Sequence, residues 1–163
     1  MLVAIMSDSH DHIDNLAQAV EIAKERGCVR IFHCGDLISP FMLPLLAHFE
    51  KRVDLILGNN RGDIVLLFQV LKDYPEIHFH GEVAFLEVEN FKIVLTHYPY
   101  YAYAFASENR YDYVFFGHTH LYEVKEVGKT LVINPGEIMK RKGESSFVIL
   151  DLTTRKFEKI NLR

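Results

Sequence analysis

LVAIMSDSH, residues Leu2 to His10, contains the pattern that decides the fold of this chain. Its five leading apolar residues, Leu2–Met6, predict a buried β-strand. A carboxylate, Asp8, and an imidazole, His10, come directly after that strand. Apolar residues then recur at helical spacing over Ile13–Glu25, which predicts a helix. The chain therefore begins with a strand, a polar loop and a helix in succession.

The same unit follows twice more along the chain. Arg30–Cys34 and Val53–Leu57 predict strands, and Phe41–Phe49 and Ile64–Leu71 predict the helices that follow them. A β-α-β-α-β-α order implies parallel strands joined by right-handed crossovers. The first half of the chain is therefore expected to form a parallel sheet.

The second half of the chain is richer in strands. Predicted elements there are two hairpins (Val83–Val88 with Phe91–Thr96, and Tyr122–Val127 with Thr130–Ile133), a helix (Tyr101–Asn109) and further strands (Tyr113–Phe116, Phe147–Leu152 and Lys156–Leu162). This mixture predicts an α/β fold in which two mixed sheets pack face to face with helices outside. No repeat or linker divides the sequence, so we expect one domain over residues 1–163.

The composition argues against several classes of function. The 163 residues carry a net charge of −4, so they provide no basic field for strong nucleic-acid binding. The N-terminus turns polar after Met6, and no apolar run approaches the ~20 residues of a membrane helix. Two cysteines, Cys28 and Cys34, are typical of a reduced protein rather than a disulfide scaffold. We therefore expect a cytoplasmic protein that does not enter a membrane.

Polar side chains follow five of the predicted strands. In chain order they are Asp8 and His10, Asp36, Asn59, His97, and His118 with His120. In open α/β sheets the loops after the strands converge on one crevice, where ligands bind. A single histidine after a strand is usually an incidental residue, but that explanation would have to hold at five strand ends independently. We therefore expect the seven side chains to form one site.

The donor types of these seven residues indicate a metal site. Carboxylate and amide oxygens with imidazole nitrogens suit Mn²⁺, Fe, Zn²⁺, Co²⁺ or Ni²⁺. One metal rarely takes seven protein ligands, whereas two metals ~3.5–4 Å apart with a bridging carboxylate would use them all. Asp36 is the candidate bridge.

The motifs SDSH, HCGDLISP, GNN, LTH, GHTH and NPG occur in this order along the chain. In this order they resemble the calcineurin-like metallophosphoesterases, and most closely the small YfcE/MJ0936-like phosphodiesterases. The resemblance implies a four-layer αββα sandwich with a dinuclear centre. Carried over by motif, it assigns Asp8, His10 and His120 to one metal, Asn59, His97 and His118 to the other, and Asp36 to both.

The resemblance also implies an activity. We expect hydrolysis of a small phosphodiester by a metal-bridging hydroxide, with two divalent ions, Mn²⁺ or Ni²⁺ being favoured. Two alternatives remain open. One is a non-catalytic or weakly catalytic protein-binding scaffold of the same fold, and the other is a small-nucleotide phosphomonoesterase. A homodimer is possible.

Asp36 and His97 are candidate catalytic residues. The loop LGNNRGDIVL, Leu57 to Leu66, contains two more candidates, Asn60 and Arg61. Where this chain has Asn60, larger relatives of the family have a histidine that is proposed as the general acid that protonates the leaving group. Asn60 is a poor proton donor. Arg61 is interpreted either as a clamp on a phosphate oxygen or as a solvated loop cation. The Arg61-Gly62-Asp63 tripeptide is not interpreted as an adhesion tag.

Three other features of the sequence have no single established role. Glu137 stands where NPG is commonly followed by serine, a departure that puts part of the substrate contact in doubt. The aromatic run Tyr98–Ala106 predicts a helix packed on the core, a wall of the pocket or a subunit interface. The basic cluster Lys140–Lys142 is expected to be a solvated loop.

Overall fold

The strands of the computed structural model, which describes all 163 residues, form two sheets. The first sheet contains β1 (Leu2–Met6), β2 (Arg30–His33), β3 (Arg52–Leu55), β4 (Ile77–Phe79), β10 (Ser146–Asp151) and β11 (Phe157–Asn161). Its strand order is β11-β10-β1-β2-β3-β4. Strands β1, β2 and β3 are parallel, as the repeated strand–helix unit predicts, and β4 continues this parallel run without having been predicted. Strands β10 and β11 add antiparallel partners.

The second sheet contains β5 (Val83–Val88), β6 (Phe91–Thr96), β7 (Tyr113–Phe115), β8 (Tyr122–Val127) and β9 (Thr130–Pro135). Its order is β5-β6-β7-β9-β8. The central strands β6, β7 and β9 are parallel, and each edge strand pairs antiparallel as one arm of a hairpin. Both sheets are therefore mixed.

Helices cover the outer faces of both sheets. The helices are α1 (Ile13–Glu25), α2 (Leu43–Ala47), α3 (Ile64–Val70) and α4 (Pro99–Ser107). Alternate residues of β1 face opposite ways, so that Ala4 and Met6 pack with α1 to α3 while Val3 and Ile5 join a second apolar cluster between the sheets. A third cluster lies between α4 and the second sheet. These four layers confirm the predicted αββα fold class.

Most predicted helices and strands begin and end within two residues of the observed boundaries. The second predicted helix, Phe41–Phe49, is shorter than expected: Pro40–Met42 forms a 3₁₀ turn, and α2 begins at Leu43. Pro44 explains the restart, because proline has no N–H to donate and fits only the first turn of a helix. None of the four helices is long and apolar enough to cross a membrane.

The loops after five strands meet at one end of the sandwich. The Asp8 N–H donates to the Gly35 carbonyl (3.0 Å), and the Gly117 N–H donates to the His97 carbonyl (3.2 Å). The His97 ring donates through Nδ1 to the Cys34 carbonyl (2.8 Å), which joins the loops of the two sheets. The topology therefore brings the predicted polar side chains to one place.

Candidate metal centre

The backbone at this end of the sandwich is unusual. Five of the seven predicted ligands have a positive φ: Asp8 (54°), His10 (41°), Asp36 (54°), His118 (68°) and His120 (64°). Residues with a side chain seldom adopt this left-handed conformation, because the Cβ atom crowds the backbone. Such conformations persist where the surrounding structure enforces them, and they cluster at functional sites.

Two glycines let the loops approach the candidate ligands closely. A Cβ atom on Gly58 would collide with the side chain of Asp36, and one on Gly117 would collide with Ser7 and Asp8. The GNN and GHTH motifs therefore need glycine at their first position because a backbone passes directly beside a buried carboxylate there.

Asp8, His10 and His120 form one group. Oδ1 of Asp8 lies 3.3 Å from Nε2 of His120 and 3.7 Å from Nε2 of His10. The other oxygen of Asp8 accepts a hydrogen bond from the backbone N–H of His118 (3.0 Å). Asp8 is fully buried, and the two imidazoles are nearly so. These three residues offer ligand atoms close enough together to share one metal.

Asn59, His97 and His118 form a second group. Oδ1 of Asn59 lies 2.8 Å from Nδ1 of His118 and 3.0 Å from Nε2 of His97. Because Nδ1 of His97 donates to a carbonyl, its neutral ring carries a lone pair on Nε2. That lone pair faces the amide oxygen of Asn59, and a cation bound by both atoms would satisfy the two acceptors.

Asp36 lies between the two groups. Its Oδ2 atom is 3.2 Å from Nε2 of His10 and 3.6 Å from Nε2 of His97. Asn60 holds this carboxylate with two hydrogen bonds, one from its backbone N–H to Oδ1 (2.8 Å) and one from its side-chain amide to Oδ2 (2.7 Å). A single carboxylate oxygen is therefore within reach of ligands from both groups.

The buried charges perturb one another. Burial opposes ionisation of Asp8 and of Asp36, but the hydrogen bonds and charges of their neighbours, with His10 contributing most, together outweigh it and hold both carboxyl pKa values below their usual range. Conversely, interaction with the Asp36 carboxylate, reinforced by that of Asp8, raises the pKa of His10 to about 9. Burial, together with the neighbouring His97, lowers the pKa of His118. The centre thus keeps its carboxylates charged.

Two atoms of the site are buried without a hydrogen bond, namely Oδ1 of Asp8 and Nε2 of His10. Buried polar atoms are almost always paired, so an unpaired carboxylate oxygen beside an unpaired imidazole nitrogen calls for a further partner. A divalent cation that takes oxygen and imidazole ligands fits both atoms. The residues present therefore fit the metal ions that the sequence predicts.

Glu137 completes the surroundings of His120. Its side chain is fully buried, and its Oε2 atom lies 2.5 Å from Nδ1 of His120. In the sequence motif this residue is only a departure from the usual serine. The sequence does carry a signal, since an acidic residue within the apolar stretch Val132–Met139 indicates a buried charge that needs partners.

A polar cleft of about 260 Å³ opens over these residues. It is lined by His10, Asp36, Asn59, Asn60, His118, His120, Arg141 and Lys142, and by no apolar side chain. The last two belong to the basic cluster that the sequence led us to expect in a solvated loop. They are exposed to solvent, but they also face the cleft.

Arg61 does not line this cleft. Its guanidinium forms an ion pair with Glu82 (2.5 Å) on the surface.

The aromatic run Tyr98–Ala106 lies in two environments. Tyr98 packs its ring 5.1 Å from that of His118 and 5.3 Å from that of His97, whereas Ala102 and Ala106 pack into the outer core. Tyr98 is therefore a wall beside the second group of ligands.

Comparison with known proteins gives a consistent result. The sequence matches the calcineurin-like phosphoesterase superfamily domain over residues 1–155. It is 32% identical over 165 residues to phosphodiesterase MJ0936 of Methanocaldococcus jannaschii, an alignment that covers 99% of each chain. A solved structure of an archaeal phosphodiesterase is similar with a TM-score of 0.91 at 32% identity, over 99% of this chain and 100% of that one. The phosphoesterase YfcE from E. coli is similar with a TM-score of 0.70 over 100% of both chains, but at 16% identity this likeness shows the fold alone.

Proposed function

The chain belongs to the calcineurin-like phosphoesterase superfamily, as its motifs predict, and we propose that it is a phosphodiesterase with a dinuclear metal centre. The family match together with a relative named as a phosphodiesterase supports a phosphoric diester hydrolase. The number of metals, the residues that hold them and the preference for a small diester go beyond what family membership alone shows.

The position of Asp36 is the observation that carries the dinuclear proposal. Its Oδ2 atom is within 3.6 Å of His10 on one side and of His97 on the other. Asp8, His10 and His120 would hold the first ion, and Asn59, His97 and His118 the second, with Asp36 shared. We favour Mn²⁺ or Ni²⁺, and Fe, Zn²⁺ and Co²⁺ suit the same donors.

The chain's own side chains position this centre. Two bound divalent ions would supply a deprotonated water as the nucleophile near neutral pH and would neutralise charge on the phosphoryl oxygens. Asn60 orients the Asp36 carboxylate through two hydrogen bonds, and Glu137 orients the ring of His120. Such preorganised charges contribute more to phosphoryl transfer than covalent chemistry by the protein does.

Hydrolysis of bis-p-nitrophenyl phosphate tests this function. Metal-depleted protein would be assayed with each of Mn²⁺, Ni²⁺, Zn²⁺ and Co²⁺, with p-nitrophenyl phosphate as the monoester comparison. We expect metal-dependent cleavage with the diester preferred. Asp36→Asn should lower kcat by at least about 100-fold, the scale of losing one electrostatic group of a catalytic site. The matched change Asp73→Asn, on an exposed turn, should have no effect.

Three results would contradict the proposal. Full activity of the Asp36→Asn variant would remove the bridging role of Asp36. A preference for the monoester would indicate a phosphomonoesterase. Metal binding without turnover of either ester would favour a binding scaffold of the same fold.

A further inference from the structure

The segment after Glu137 brings two cations to the mouth of the metal cleft. Arg141 and Lys142, which we name the basic rim, line the cleft together with the candidate metal ligands. Lys140 precedes them in the sequence and does not line it. Within one basic cluster, Arg141 and Lys142 therefore face the cleft and Lys140 does not.

The buried carboxylate of Glu137 fixes the backbone of the basic rim. Its Oε1 atom accepts hydrogen bonds from the backbone N–H groups of Arg141 (2.6 Å), Lys142 and Gly143 (3.2 Å). A charged group that is fully buried and bonded in this way is costly to displace. The rim is consequently anchored to the same carboxylate that orients His120.

A second contact fastens the rim to the other side of the cleft. The ammonium of Lys142 donates to the carbonyl of Thr119 (3.1 Å), which lies between His118 and His120. An ammonium has three donors, so it can still bind an anion in the cleft.

Neither cation of the basic rim forms an ion pair with a carboxylate, in contrast to Arg61, which pairs with Glu82. The chain as a whole is acidic, with a net charge of −4. Two cations without acidic partners at the mouth of a polar cleft therefore attract an anion from solution.

The charges around the cleft indicate how much negative charge it accommodates. Two divalent ions would bring four positive charges against the three carboxylates of Asp8, Asp36 and Glu137, and the basic rim adds two more. The deprotonated water adds one negative charge, so the excess is two. A phosphodiester carries one negative charge, which leaves one for a further anionic group, and a phosphomonoester group carries about −1.5 to −2 near neutral pH.

We infer that the basic rim is a subsite for a second phosphate, so that the preferred substrates are phosphodiesters that also carry a phosphomonoester group, such as a 5′-phosphorylated dinucleotide. This specificity rests on the proposed phosphodiesterase function. The scissile diester lies at the metal ligands, while the planar guanidinium of Arg141 and the ammonium of Lys142 bind the second phosphate.

Equilibrium binding tests the subsite without turnover. Thymidine 3′,5′-bisphosphate and thymidine 5′-monophosphate would be titrated calorimetrically into Mn²⁺-loaded full-length protein. Wild type should bind the bisphosphate at least about tenfold more tightly, the scale of one charge-assisted hydrogen bond. Arg141→Gln and Lys142→Gln should each reduce that ratio, while Lys140→Gln, from the same cluster, should preserve it.

A kinetic comparison separates the subsite from the function on which it depends. Wild type should cleave the 5′-phosphorylated thymidine dinucleotide with a lower KM than the unphosphorylated dinucleotide, and the rim variants should lose that difference. If wild type cleaves diesters but shows no preference, or if the rim variants keep the preference, the subsite is wrong and the function stands. If wild type cleaves no diester, both proposals fail.

Discussion

The carboxylate of Glu137 lies 2.5 Å from Nδ1 of His120, and its other oxygen binds the backbone of the loop that carries the basic rim. The carboxylate accepts a hydrogen bond from the protonated Nδ1, which leaves the lone pair of His120 on Nε2, the nitrogen that faces Asp8. One buried side chain thus sets both the tautomer of a candidate metal ligand and the path of the loop that lines the cleft.

Glu137→Gln should weaken metal binding while leaving the fold intact. The amide oxygen can still accept from the loop N–H groups, but the amide NH₂ group then faces Nδ1 of His120 and moves the ring proton to Nε2. Metal affinity measured by calorimetry should fall about 10- to 100-fold, the usual cost of removing such a partner of a metal ligand. Glu144→Gln, an exposed change in the same loop, is the control, and unchanged affinity of the Glu137→Gln variant would contradict the account.

Asn60→Ala should act through Asp36 and not through the leaving group. The change removes the side-chain hydrogen bond to Oδ2 of Asp36 while keeping the backbone bond to Oδ1. We expect kcat to fall by about tenfold, the scale of one hydrogen bond to a charged group. The loss should be equal for diesters with good and with poor leaving groups. A much larger loss for poor leaving groups would indicate that Asn60 assists their departure.

Arg61→Ala should have little effect on catalysis. The Arg61 side chain is 43% exposed, and it pairs with Glu82 away from the cleft, where a surface ion pair contributes little to stability. Neither kcat nor KM for bis-p-nitrophenyl phosphate should change by more than about threefold, which is within the range of a modest surface contact. A KM increase of tenfold or more would restore Arg61 as a phosphate clamp.

Metal binding should strengthen as the pH rises from 6 towards 9. The carboxylates of Asp36 and Asp8 raise the pKa of His10 to about 9, so that in the metal-free protein the ring is protonated at pH 7. A metal binds the neutral imidazole and must displace that proton, hence affinity falls as the pH falls below the raised pKa. Calorimetry at pH 7 in two buffers of different ionisation enthalpy should detect proton release. Release that is absent in wild type, or unchanged in a His10→Gln variant, would contradict this assignment.

The sequence predicts the ends of parallel strands well because the pattern that makes them is local. The buried run Leu2–Met6 and the helix Ile13–Glu25 are encoded by their own apolar spacing, and right-handed crossovers then force the loops to one edge. The sequence alone therefore predicts that Asp8 and Asp36 lie in one site. The roles of the individual metal ligands remain predictions that the experiments above address.

Local sequence patterns do not predict contacts between segments that are distant along the chain. Whether Arg61 points into the cleft or pairs with Glu82 depends on how two loops from different parts of the fold approach each other. The basic rim faces the cleft only because Glu137 is buried and captures the backbone after it. Neither outcome follows from a local pattern, since both depend on which side chains the tertiary fold removes from water.

Metal content tests the central claim of a shared carboxylate most directly. Wild-type protein and the Asp36→Asn variant would be reconstituted with Mn²⁺, freed of excess metal and measured by elemental analysis. The proposed centre predicts about two metal ions per chain in wild type and one or none in the variant. One ion per chain in wild type, or two in the variant, would contradict it.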